Sequence, residues 1–311
     1  MPSGVLQKTL DRRRAPSRVD ILTSTPSKNE GGSLPLRSLT SPLSHSFEMG
    51  SEFKSLVHSL NHALTVPTKE LDHTVSKSFS PPPGSVPLPV GASDINAVVL
   101  TGSGRAFSAG GSLPFLYSRT ATPSHLNSST MYNFYTNFLS LRTLPIPTVA
   151  AINGPAVGAG ACVTLACDSR LASDGAKVAF NFCRLGIHPG MGGSHYLPTI
   201  IPRSSAFNLL ASGRMVAASE SLSLGLVDAV HPSDSFLERS IEAAEAYASS
   251  SPVAVRGLVR TMRAQQDRGL EEALRREADQ QALCYAREDW KEGLDAVMEK
   301  REPVFDVYNS S

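Results

Sequence analysis

Apolar and polar positions along the chain change period several times, and each change marks an expected element. Residues 19–23 and 33–39 have the β-rich composition of strands and bracket a turn-rich stretch at 26–32. Residues 47–64 shift to helical spacing, with Phe47, Phe53, Leu56, Leu60 and Leu64 tending to one face. Residues 66–93 are rich in proline and serine and predict an exposed insertion. Order resumes at residues 96–101, an apolar β-rich run ending in the glycine-rich stretch 102–111. A second β run, 148–152, ends in a glycine turn at 154–160, followed by an apolar, helix-like segment at 161–166. A third unit, 170–182, leads into the glycines of 186–193. Strand, glycine turn and helix recurring in that order predict an α/β fold. From residue 202 onward the pattern reads as helical, with alternating charge over 270–301. The expected organisation is an N-terminal extension (1–17), a core (18–201) interrupted at 66–93, and a helical C-terminal region (202–311).

Composition narrows the class. The chain has 311 residues, 41% hydrophobic and 18% charged, which suits a globular enzyme. A net charge of +1 gives no bulk attraction to nucleic acid or to an anionic membrane. No apolar run approaches the roughly 20 residues of a membrane span. The four cysteines, Cys162, Cys167, Cys183 and Cys284, form no CxxC pair and no metal spacing, and read as reduced thiols of an intracellular protein. Arg12, Arg13 and Arg14 among small residues suggest an organellar targeting segment, while Asp11 and the low apolar content argue against one. Mitochondrial and cytoplasmic locations both stay open. The last three residues are not a peroxisomal signal.

The glycine turns carry the candidate chemistry. The sequence Gly102-Ser-Gly104 follows a strand but lacks the third glycine of a dinucleotide fingerprint, and no glycine run leads into Lys-Ser/Thr. The segments beginning at Gly110 and at Gly192 both fail the G-x-S-x-G elbow at its last position, which excludes that route to a serine hydrolase. What remains is two strand-terminal turns of very small residues, about fifty residues apart. Such turns let a ligand carbonyl approach backbone N–H groups closely. Where the second turn also opens a helix, its free N–H groups favour developing negative charge. Two such donors aimed at one oxygen would form an oxyanion hole; the alternative is that the glycines merely permit tight turns.

The order of these segments resembles the crotonase (enoyl-CoA hydratase/isomerase) superfamily. Gly104-Arg-Ala-Phe-Ser-Ala-Gly-Gly-Ser-Leu113 is similar to G-x-A-F-x-A-G-x-D-L. Residues 146–160, Ile-Pro-Thr-Val-Ala-Ala-Ile-Asn-Gly-Pro-Ala-Val-Gly-Ala-Gly, resemble K-P-x-I-A-A-I-N-G-x-A-x-G-G-G, and 166–168 resemble its A-C-D continuation. Residues 185–193 are similar to L-G-x-x-P-G-x-G-G, residues 218–227 to A-x-E-A-x-x-L-G-L-V, and 299–303 to the closing K-R-x-P signature. The resemblance implies a spiral of ββα units with a C-terminal helical region that trimerises, as a homotrimer or a dimer of trimers. It implies an acyl-CoA thioester as substrate and no separate cofactor or metal. It assigns the hole to the backbone N–H groups of Gly111 and Ala159, the pantetheine and thioester path to Ala109, Gly110 and Gly158, and a CoA-phosphate contact to Lys300.

The same resemblance exposes two replacements. The glutamates that handle water and proton in the hydratases fall on Cys162 and Phe182, the latter preceded by Asn181 instead of proline. The first-turn aspartate is Ser112, and Gly190 stands where a hydrolase-like variant would have aspartate. Remaining candidates for acid–base work are Cys162, as a thiolate at a helix start, and His188, with inert packing among apolar neighbours as the alternative for Cys162. Tyr132 and Tyr135 read as walls of the acyl pocket with a hydroxyl to offer, and Asp168 as a structural anchor. The expected function is acyl-CoA binding with enolate stabilisation; the alternative is a non-catalytic acyl-CoA-binding subunit or oligomeric scaffold. RNA binding has no basic stripe to support it.

Overall fold

The computed structural model describes residues 18–23, 95–102, 104–111 and 113–305. The strand expected at 33–39, the helix at 47–64, the insertion at 66–93 and the extension at 1–17 lie outside the described residues.

The two apolar β runs become neighbouring parallel strands. In chain order β1 (Arg18–Thr23), β2 (Ile95–Thr101) and β3 (Thr148–Ile152) pair in parallel, with Val99 opposite Val149 and Leu100 opposite Ala150. Side chains on a strand alternate between faces, so a sheet covered on both sides needs apolar residues at every position. Ala97, Val99, Val149 and Ala151 enter one buried cluster, while Val98, Leu100, Ala150 and Ile152 enter the other. That is why these segments read as unbroken apolar runs.

Between β2 and β3 the chain crosses over through α1 (Leu113–Thr120) and α2 (Ser124–Leu139). After β3 come β4 (Ala156–Val157), the short helix α3 (Ala159–Leu165), β5 (Ser169–Ser173) and β6 (Lys177–Ala179). Then follow α4 (Gly193–Ile200), α5 (Arg203–Ser212), β7 (Met215–Ala217), α6 (Ala218–Ser223) and β8 (Ala229–His231). Four helices close the chain: α7 (Phe236–Ala248), α8 (Pro252–Gln266), α9 (Leu270–Cys284) and α10 (Glu288–Glu299). The main sheet has the order β1-β2-β3-β5-β8, all parallel, and a second sheet has β4-β6-β7, with β6 and β7 antiparallel.

The stretch after residue 202 is therefore not wholly helical. β7 and β8 are each three residues long, too short for a two-residue alternation to declare itself. β8 nonetheless extends the main sheet, and β7 the smaller one. Helix α7 covers one face of the main sheet, placing Phe236, Ala244 and Ala248 against Val99, Val149 and Leu171. The other face holds the larger core, into which α2, α3 and α9 pack.

A buried polar knot fastens the C-terminal helices to the sheet. The side chain of Arg263, on α8, is 6% exposed and pairs with Asp168. Its guanidinium also donates to the carbonyls of Arg142 (3.0 Å) and Ile146 (3.1 Å) and to Leu144 O. Asp168 Oδ2 accepts from Thr148 N (2.8 Å) and Thr148 Oγ1 (2.9 Å). Burial pushes the Asp168 carboxyl up, but the hydrogen bond and charge of Arg263 together with the Thr148 donors outweigh it and hold the group below its usual range. Asp168 is the structural anchor its place after α3 led us to expect. Beside it, Arg142 pairs with Asp267 at 2.7 Å, and Tyr196 donates to the same carboxylate at 2.9 Å.

Candidate active site

The first two glycine turns meet because the chain clamps them backbone to backbone. Phe107 N and Ser108 N both donate to Pro155 O at 3.0 Å, and Val157 N donates to Ser108 O at 2.9 Å. The Asn153 side chain closes the other end. Its Oδ1 accepts from Gly102 N (3.1 Å), and its Nδ2 donates to Gly102 O (3.0 Å) and Gly104 O (2.9 Å). Gly110 then passes so near the second turn that a Cβ there would stand 2.8 Å from Val157 O and 3.8 Å from Ala159 N. Its φ of +90° adds a second reason for glycine. Ala159 opens α3, so its N–H has no acceptor within the helix.

These turns form one end of a cavity of about 130 Å³. Ala109, Gly110, Gly111, Gly158 and Ala159 all line it, so five residues expected at the site do converge. Phe182 joins them, along with Asn181, whose Oδ1 lies 3.2 Å from where a Gly158 Cβ would be. The rest of the wall is mainly apolar. Phe115, Met131, Phe134, Ile187, Met191 and Leu294 contribute to it, and the polar side chains besides Asn181 are Tyr135, Gln281 and Tyr285. No charged side chain lines the cavity among the described residues.

Four expected residues are not on this wall. Cys162 is fully buried behind it, 3.0 Å from the position of a Gly193 Cβ. Burial first, and the Glu277 carboxylate second, push its thiol well above the usual range. A thiolate base there is disfavoured, which corrects the expectation that a helix start would lower its pKa: desolvation dominates a fully enclosed sulfur. His188 turns away as well. Its Nδ1 lies 2.7 Å from Pro189 O, its own carbonyl accepts from Gln281 Nε2 at 2.7 Å, and only its neighbour Ile187 reaches the cavity. Lys300 is exposed at the end of α10, three residues beyond Val297, which does line the cavity. Tyr132 does not line it either; Arg275 lies over its ring at 4.6 Å.

Sequence reasoning missed the wall supplied by α9 and α10. On α9, Leu274, Ala278 and Gln281 follow helical spacing, Tyr285 continues it as the residue that caps the helix, and all four are buried. Glu277 is 1% exposed on the same helix; it accepts from Gly192 N (2.7 Å), Ser194 N (2.9 Å) and Ser194 Oγ (2.6 Å). Burial raises its carboxyl, against the pull of these three donors. The available signal was a glutamate and a glutamine set among apolar positions of one helix, hidden there by the many solvated charges around them.

Comparison with known proteins agrees with this architecture. A sequence model of the family described as "Enoyl-CoA hydratase/isomerase" matches residues 91–307. The chain is 36% identical over 211 residues to a putative enoyl-CoA hydratase of Thermus thermophilus, covering 68% of this chain and 83% of that protein. It is 33% identical over 211 residues to a 2,3-dehydroadipyl-CoA hydratase of Escherichia coli, covering 68% and 81%. Among solved structures, an enoyl-CoA hydratase/isomerase from Pseudoalteromonas atlantica superposes with a TM-score of 0.66 at 27% identity, covering 85% of this chain and 91% of the other. The parallel sheet with its C-terminal helices is the crotonase fold, and the chain belongs to the enoyl-CoA hydratase/isomerase family.

Proposed function

We propose that this chain binds an acyl-CoA thioester in the cavity and polarises its carbonyl with the backbone N–H groups of Gly111 and Ala159. The observation that carries this reading is the clamped pair of turns, which brings Gly110, Gly111 and Ala159 together at one end of an apolar, charge-free cavity. A developing enolate oxygen held by two preorganised donors in such surroundings is stabilised far more than in water. The mobile acyl chain would lie along the Phe134, Met131 and Leu294 side. Ala109, Gly110 and Gly158 would border the thioester, and exposed Lys300 would meet the CoA phosphates of a neighbouring subunit. CoA arrives as part of the substrate, so no separate cofactor enters the reading.

The reaction is of the hydratase/isomerase type, on an enoyl-CoA. A second reading, a non-catalytic acyl-CoA-binding subunit, is favoured by one observation: Phe182 forms cavity wall and Cys162 is sealed behind it, so neither position holds a proton-transferring group. Assembly into a homotrimer or a dimer of trimers is part of the proposal. The apolar side chains that α8 leaves exposed in a single chain, Val253, Leu258 and Met262, support it. Mass determination by light scattering tests that part.

The main test is turnover. Purified protein is incubated with short and long trans-2- and 3-enoyl-CoAs while the conjugated double bond is followed by absorbance. Gain or loss of the conjugated band supports the enzyme reading. Acyl-CoA binding without any change in the band supports the second. Neither binding nor turnover would sink both.

A further inference from the structure

One polar atom of the cavity wall has no partner. The Tyr135 hydroxyl is buried, in a residue 1% exposed, and makes no hydrogen bond. Buried hydroxyls are nearly always satisfied, and an orphan one costs free energy unless something else supplies the bond. Tyr135 lines the cavity from α2.

A second donor stands beside it. A Cβ on Gly190 would lie 2.6 Å from Tyr135 Oη and 2.7 Å from Gln281 Nε2, so both atoms gather over the same bare glycine. Gln281 is held in place: its Oε1 accepts from Tyr285 at 2.9 Å, and its Nε2 donates one hydrogen to His188 O at 2.7 Å. An amide nitrogen carries two hydrogens, which leaves one for the cavity. Around this pair the wall is Met131, Phe134, Ile187 and Met191.

The electrical character of the spot is also legible. Burial, then the charges that would stand on Tyr285 and Glu277, push the phenol well above its usual range, so Tyr135 keeps its proton and acts as a donor. The surroundings that disfavour a phenolate equally disfavour an acyl carboxylate, and no cation among the described residues lines the cavity to offset it. The matching ligand group is an uncharged oxygen.

We propose that Tyr135 and Gln281 form a selectivity station that recognises an uncharged oxygen, a hydroxyl or a ketone, on the acyl chain of the bound thioester. This rests on the acyl-CoA reading above and deepens it. The preferred substrates are oxygenated acyl-CoAs and not plain hydrocarbon ones. A site built to hydrogen-bond a substrate oxygen discriminates strongly against the analogue lacking it, because its own donors are then left unpaired.

The test is calorimetric titration of the full chain with six-carbon acyl-CoAs: hexanoyl-CoA, its hydroxy and oxo derivatives at carbons 4 and 5, and adipyl-CoA, which carries a carboxylate. The expected result is that at least one oxygenated chain binds about tenfold tighter than hexanoyl-CoA. In Tyr135→Phe that ratio should collapse towards one. The substitution removes a single unpartnered oxygen, and a thermal melt confirms folding; the wild-type comparison stands without any variant. Equal affinity for every uncharged chain, a preference that survives Tyr135→Phe, or tightest binding of adipyl-CoA would each overturn the station while leaving the acyl-CoA site intact. If hexanoyl-CoA and all its derivatives fail to bind, the acyl-CoA reading falls and the station with it.

Discussion

Two neighbouring regions of this molecule treat polar groups in opposite ways. Behind the β3 and β5 strands, the knot of Arg263, Asp168, Arg142 and Asp267 buries charge and satisfies it many times over. In the cavity the wall carries no charge among the described residues, and one hydroxyl is left unsatisfied. The knot has a fixed set of partners and holds helices to sheet. The polar groups of the knot are partnered, and the Tyr135 hydroxyl of the cavity wall is not.

The contrast breaks most visibly at its strongest point. Arg263→Met should destabilise the fold by about 3–5 kcal/mol, because it leaves Asp168 with its charge largely buried and unpaired and strips donors from several carbonyls. Chemical denaturation reads this directly, and a loss below about 1 kcal/mol would mean that the knot is incidental. The effect should appear in stability first, since no knot side chain lines the cavity.

On the cavity side, Ala159→Pro deletes one proposed donor with little effect on the helix. Proline is tolerated at the first helical position, where the N–H has no partner within the helix. Loss of one oxyanion donor should lower turnover of an enoyl-CoA by about 10²–10³, with only a small shift of the melting midpoint. A large drop in stability with unchanged specific activity of the folded fraction would place the donor in the scaffold instead.

How much of this was legible beforehand follows the same division. Residues 104–113 and 146–160 disclosed the turns, because small side chains in a fixed order are what close backbone approach requires. Five of the named residues line one cavity for that reason. Asp168 was legible as an anchor, but its partner Arg263, 95 residues downstream, was not. A lone arginine in a charged helix carries no mark of burial. For Cys162 helix position and enclosure point opposite ways in the sequence, and enclosure, which Gly193 of α4 helps to set, decides for inert packing. Gln281 and Glu277 were hidden because long-range packing alone turns one face of α9 inward.

Asp168→Asn tests the knot more gently. The amide keeps one acceptor oxygen but turns an NH₂ toward a site filled by donors, at a cost of about 1–3 kcal/mol near neutral pH. The native carboxyl is held below its usual range, so its contribution is fully present above the unfolded value near pH 4 and is lost as pH falls through the lower native value. The stability gap between wild type and Asp168→Asn should therefore be constant around neutrality and narrow in acid. A gap that widens in acid would show that the carboxylate is not stabilised by the knot.

The smallest effect separates the two regions most cleanly, because it has the opposite sign. Removing a polar atom from the knot destabilises, since each one is partnered. Removing the Tyr135 hydroxyl removes a donor without a partner in the fold, while the ring keeps its packing against Phe134 at a centroid distance of 6.4 Å. Tyr135→Phe should thus unfold at equal or higher denaturant than wild type, a gain of up to about 1 kcal/mol. Saturating an oxygenated acyl-CoA should reverse the order, because only the wild-type hydroxyl then gains a partner and ligand binding to the native state adds to its stability. A variant less stable than wild type by more than about 1 kcal/mol without ligand would mean that the hydroxyl is already satisfied within the fold, and the distinction between saturated scaffold and unsaturated site would fail at the residue chosen to represent it.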